Sequence, residues 1–227
     1  MKKTILAVCI ILCICLLCGA IAYAGLNQSN AHIAGQAYKD TKNSDGVELQ
    51  ATEVVAEYGS HKITKGTIDY YRSMQSLGYG GNDGNSQKNI VDDKEIANQL
   101  ILNIILEEEA IRLGLAATDA EIEEMFMAVL QSYEIPDGKN FIDDYCEGAG
   151  ITVQEYFDLV LEQLPETITR QKLKDEIGKN YCKEHGIEFT KVNQPEEMKR
   201  YVNQRINELF ESRQKDIIYR QTHSETK

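Results

Sequence analysis

A chain of 227 residues with 42% hydrophobic content is long enough for one or two packed domains, and its formal charge of −12 repels phosphate backbones, which disfavours nucleic-acid binding. Tryptophan is absent, and only three prolines interrupt stretches otherwise free to be helical. Of six cysteines, Cys9, Cys13, Cys15 and Cys18 fall near the N-terminus; Cys146 and Cys182 remain for the folded part, where they either pair as one disulfide or stay as two free thiols.

Residues 1–24 have the form of an export signal. Lys2 and Lys3 precede an apolar run from Ile5 to Cys18, and Ala22-Tyr23-Ala24 has the small-x-small pattern of a cleavage site. The uncharged run from Thr4 to Ala24 is also long enough to cross a bilayer as a helix, so a cleaved signal peptide and an uncleaved transmembrane anchor both stay open. Leu16 and Leu17 before Cys18 do not suit a lipid-modification site. In either case the N-terminal lysines keep that end inside, and the rest of the chain is extracytoplasmic, membrane-anchored or secreted. Residues 25–50 are polar, show no apolar period and read as a flexible linker.

Residues 51–221 read as the folded domain. Glu53 to Thr64 is predicted to form two short strands around a turn at Gly59-Ser60, and Thr64 to cap a helix running to about Leu77, with Ile68, Tyr71 and Met74 on one face. Gly78 to Ser86 is a glycine-rich loop with no lysine-serine pair and no preceding strand, so it is not a phosphate cradle. Glu95 to Leu115 is the organising element. Ile96, Leu100 and Ile104 form one helical row and Ala97, Ile101 and Ile105 the next, so only Gln99, Asn103 and Glu107 are left for water. Asp92 with Glu95 resembles a capping box, and Gly114 suits the position just past the end.

Thr118-Asp119-Ala120-Glu121 is a capping box opening a helix with Ile122, Met125, Phe126, Val129 and Leu130. Pro136-Asp137-Gly138 is read as ending that unit, with a short helix from Phe141 to Cys146. Thr152-Val153-Gln154-Glu155 opens the next helix, which Pro165 is predicted to kink or divide and Gly186 to close. Ile187 to Val192 is a β-prone link. Pro195 starts a last helix with Met198, Val202, Ile206, Leu209, Phe210 and Ile217 along one side, and residues 222–227 form a disordered tail.

His32, His61, His185 and His223 are scattered, with no partner at metal-ligand spacing, and no nucleophile elbow or His-Glu-x-x-His helix occurs. No catalytic, cofactor-binding or metal residue is assigned, and no cofactor is expected. Glu107-Glu108-Glu109 and Glu121, Glu123 and Glu124 read as solvated helix faces. Tyr71, Met74, Met125, Phe126 and Met127 are the candidate client-contacting residues, since methionines and aromatics make adaptable apolar surfaces; ordinary core packing is the plainer reading for any single one.

The order of these elements carries a resemblance. Val54-Val55-Ala56-Glu57-Tyr58-Gly59-Ser60-His61-Lys62-Ile63-Thr64, then Leu100 to Leu115 followed by Thr118-Asp119-Ala120-Glu121-Ile122, then Gly150-Ile151-Thr152-Val153-Gln154-Glu155-Tyr156, resembles the N-terminal chaperone domain of SurA-like chaperones and PrsA-like foldases. The resemblance implies a mainly α, orthogonal multi-helix chaperone domain with a short N-terminal β-hairpin. It also implies a client-holding role toward unfolded or newly translocated polypeptides. The parvulin prolyl isomerase domain that often precedes the family's last helix has no counterpart, because only a short connector separates Gly186 from Pro195. A chaperone half without enzymatic activity follows, a divergent isomerase being the residual alternative. A different class also stands: a membrane-tethered assembly module that binds one specific partner through its long C-terminal helix.

Overall fold

The computed structural model describes residues 28–41, 53–76, 92–192 and 194–220. The leader, the rest of the linker, the loop at 78–86 and the tail at 222–227 lie outside the described residues. What is described is mainly helical, with seven helices and one three-stranded sheet.

The hairpin forms where the turn residues place it. β1 (Val54–Tyr58) and β2 (His61–Thr64) pair antiparallel around Gly59, and Thr64 then caps α2 (Lys65–Ser76), its Oγ1 accepting from the Thr67 N–H at 3.3 Å. The central helix α3 (Asp93–Arg112) buries Ile96, Ala97, Leu100, Ile101, Ile105, Leu106 and Ala110, and packs against α2, both hairpin strands and the two last helices. It is enclosed, as its apolar circumference requires. Its end is set by Gly114 at φ +74°, but its start is not the predicted box: Asp92 has extended N-cap geometry and makes no side-chain capping bond.

The two remaining boxes are complete. Thr118 opens α4 (Asp119–Tyr133) and Thr152 opens α6 (Val153–His185), each exchanging bonds with the glutamate three residues on. Between them α5 (Pro136–Ala149) is longer than expected. Pro136 begins it, because proline's fixed φ and missing N–H suit a first helical turn as well as they suit a stop. Pro165 does not divide α6, which runs unbroken for 33 residues, about 50 Å at 1.5 Å per residue. The proline removes one helix bond, to the Leu161 carbonyl, at a residue 42% exposed where water can serve instead.

α6 is the spine. Tyr156, Phe157, Val160, Leu164 and Ile168 enter one apolar cluster with α4 and α5, and Leu173, further along, enters another with Leu106, Ala110 and Ile206. A third cluster joins the sheet to α3 and Ile68. The last helix, α7 (Glu196–Arg213), returns along α6 and buries Met198 and Ile206.

Two segments flanking this helical frame depart from expectation. Ile217 is not on the last helix: after a 3-10 turn at Gln214–Asp216, β3 (Ile217–Tyr219) pairs antiparallel with β1, giving sheet order β2-β1-β3. Isoleucine and tyrosine favour strands, and β1 offered an open edge to receive them. The residue range 25–50 is not wholly a linker either. α1 (Gln28–Asp40) is a helix lying along α5, with Ala31 and Ala34 almost completely buried. It packs by nearness rather than bulk. A Cβ at Gly35 would stand 2.1 Å from the Tyr145 carbonyl oxygen, and one at Gly148 2.0 Å from that of His32. Only hydrogens allow the two backbones so close.

Candidate functional site

On the face of α1 turned away from α5, the helical repeat places Ile33, Gln36, Ala37 and Asp40 in a row. Facing them, α2 presents Gly66, Asp69, Tyr70 and Ser73 in the same way. Thr41, Glu53, Lys65 and Ser76 complete the lining of an open groove of about 570 Å³. That volume falls in the range of small-ligand clefts, and is enough for a few residues of an extended chain.

The apolar part of the lining is Ile33, which is 48% exposed, with Ala37 and Tyr70. Tyr70 is one rung of an aromatic series. Its ring stands edge-on to Tyr71 at 5.9 Å and to Tyr38 at 6.2 Å; Tyr38 meets Tyr145, Tyr145 meets Tyr156, and Phe157 meets both Phe126 and Tyr133. Tyr156 and Phe157 join the two halves at 5.7 Å. Five helices are thereby pinned around the groove's wall, at about 0.5–1.5 kcal/mol per ring pair beyond area burial.

The charges divide into a neutralised set and an unneutralised one. Lys65 bridges Asp69 at 2.8 Å and Asp93 at 3.1 Å, and Arg72 bridges the same two carboxylates. Burial would raise the Asp93 carboxyl, but hydrogen bonds from Lys65 and Arg72 outweigh it and hold the group below its ordinary value. Asp40 and Glu53, both exposed, have no ion-pair partner among the described residues.

A second polar seam crosses from α2 to α6. Arg170 lies 3.4 Å from Glu166 and 3.9 Å from Glu107, below Tyr71, whose phenol is pushed up by burial. Burial first, and then the Glu166 charge, raise the Glu107 carboxyl. The polar stripe of α3 is thus not simply given to water: Glu107 faces this seam, and Gln99 accepts from Gln75 Nε2 at 2.9 Å.

The five predicted client-contacting residues separate. Met74 is in the core, and Met125 and Phe126 pack partly buried against the same cluster. Tyr71 is 36% exposed and does not line the groove, and Met127 is 48% exposed on α4. Of the five, only Met74 is buried. Cys146 and Cys182 do not pair. Both are buried and free, Cys146 in the α5 cluster with its thiol pushed up to about 11 by burial, and Cys182 with its Sγ 3.4 Å from Met198 Sδ. The α1 wall itself was not foreseen from the sequence, and no single residue announces it.

A polar clamp holds the α3–α4 corner to the spine. Thr169 Oγ1 accepts from the Ala117 N–H, and Lys172 Nζ donates to the Ala116 carbonyl and to Glu121, each bond at 2.9 Å. The Lys172 bond first, and then the Thr118 backbone N–H, lower the Glu121 carboxyl to about 2. A folded value below the unfolded one means that this stabilisation is complete above the ordinary value of 4.5 and is lost as pH falls toward 2. The melting temperature is expected to fall through that window, and less steeply in Glu121→Gln; the same slope in both proteins would remove this carboxylate as the cause.

Among the described residues no group of His, Cys, Asp or Glu could hold a metal ion, and no helix is long and apolar enough to cross a membrane. Comparison with protein-family models, curated proteins and solved structures returned no match.

Proposed function

We propose that this chain is an extracytoplasmic chaperone-like domain that holds unfolded or newly exported polypeptides and does not isomerise them. The observation that carries the reading is the open groove between α1 and α2, lined by Ile33, Ala37 and Tyr70 and edged by carboxylates. Exposed client side chains would be buried there for a time, and the charge of −12 would keep the complex in solution. The orthogonal chaperone-domain architecture belongs to the same proposal. Its support is the order of hairpin, capped helix, enclosed central helix and two boxed helices, which is the order carrying the SurA-like and PrsA-like resemblance.

The test is suppression of light scattering by a chemically denatured client diluted into the purified protein. Suppression at a few-fold molar excess is the expected result. Unaltered aggregation, together with recovery of one defined partner by crosslinking, would replace the proposal with the assembly-module reading.

A further inference from the structure

We infer that the α1–α2 groove selects polypeptide segments in which an apolar side chain is flanked by lysine or arginine, an inference that rests on the client-holding reading. The two kinds of lining group imply it together. Ile33, Ala37 and Tyr70 offer contact to an apolar side chain, and the groove is open enough to admit one. The single lysine of the lining, Lys65, is bridged by Asp69 and Asp93, whose two negative charges offset its attraction for an acidic ligand.

Asp40 and Glu53 are in the opposite condition. Both line the groove, both are exposed, and neither is spent on an ion pair among the described residues. A cationic side chain reaching either would gain a counter-charge without breaking an ion pair among the described residues, whereas an anionic one would meet repulsion from both and from the acidic chain as a whole. Exposed pairs of this kind contribute a fraction of a kcal/mol each, so the two together give about fivefold in affinity at low salt. The preference should shrink as ionic strength shortens the Debye length below about 10 Å.

The experiment compares three labelled peptides with one leucine-containing core, flanked by serines, lysines or glutamates, titrated with the full protein by fluorescence anisotropy. The lysine peptide is expected to bind about fivefold tighter than the serine peptide, and the glutamate peptide more weakly than either. The lysine advantage should vanish in the double variant Asp40→Asn with Glu53→Gln, while serine-peptide binding persists. Both positions are exposed, so the variant keeps its fold, checked by an unchanged melting temperature. Equal binding of all three peptides would overturn the charge selection and leave the holding role standing. A lysine advantage that survives in the double variant would overturn the assignment to this groove. Binding of none would overturn both the selection and the role on which it rests.

Discussion

Gly148→Ala is expected to unseat α1 from the body of the protein without unfolding the rest. The added methyl would lie 2.0 Å from the His32 carbonyl oxygen and 3.1 Å from the Gln36 nitrogen, and both are backbone atoms that no rotamer change can move aside. The helices must separate, which forfeits the contacts of Ala31 and Ala34 and costs about 3 kcal/mol, the upper part of the usual overpacking range. Amide hydrogen exchange reads the outcome directly. Residues 30–40 should lose protection while 96–110 keep theirs, and Gly35→Ala should give the same pattern from the other side. Because α1 is one wall of the groove, peptide binding should fall in parallel. Unchanged protection over 30–40 would mean that α1 does not sit on α5 in solution.

Ile101→Ala should have the largest effect on the whole domain. Ile101 is fully buried on α3, in the cluster that joins the sheet to the central helix, and removing its side chain leaves a cavity between elements far apart in sequence. The expected cost is about 3 kcal/mol, lowering the melting temperature by about 10 °C for a domain of this size. Ile111→Ala on the same helix is the control. Its side chain is 54% exposed, and its replacement should change stability by less than about 0.5 kcal/mol. Similar losses at both positions would contradict the enclosure of α3.

Where the sequence was legible, the signal was local and redundant. Thr118 and Thr152 each have a glutamate three residues on and an apolar repeat behind, and both boxes close as written. Gly114 and Gly186, both read as helix ends, adopt positive φ there. Asp92 shows the limit of such signals, since its backbone takes the cap geometry but its carboxylate does not bond. α1 was illegible for a physical reason. Its buried face is Ala31, Ala34 and Gly35, small residues that give almost no hydrophobic periodicity, and their packing value appears only when Gly148 is brought opposite. The groove could not be foreseen without that wall. Ile217-Ile218-Tyr219 failed differently: a continuing helical pattern and a β-prone triplet were both present, and a partner strand some 160 residues earlier decided between them. Met74 is buried and Met125 and Phe126 are partly buried, a difference that residue type alone does not make.

The pairing of β3 with β1 also sets a schedule for the chain as it is delivered from its N-terminus onward. Arg220 donates to the Val55 carbonyl at 2.8 Å and bridges Glu57 at 3.0 Å, closing a loop of 163 residues. Until Ile217 has emerged, β1 has an unpaired margin and Tyr58 lacks its neighbour across the sheet. Completion of this small sheet is therefore a late, long-range event, and a polypeptide cut short before Ile217 would leave that margin permanently open to strands from other molecules.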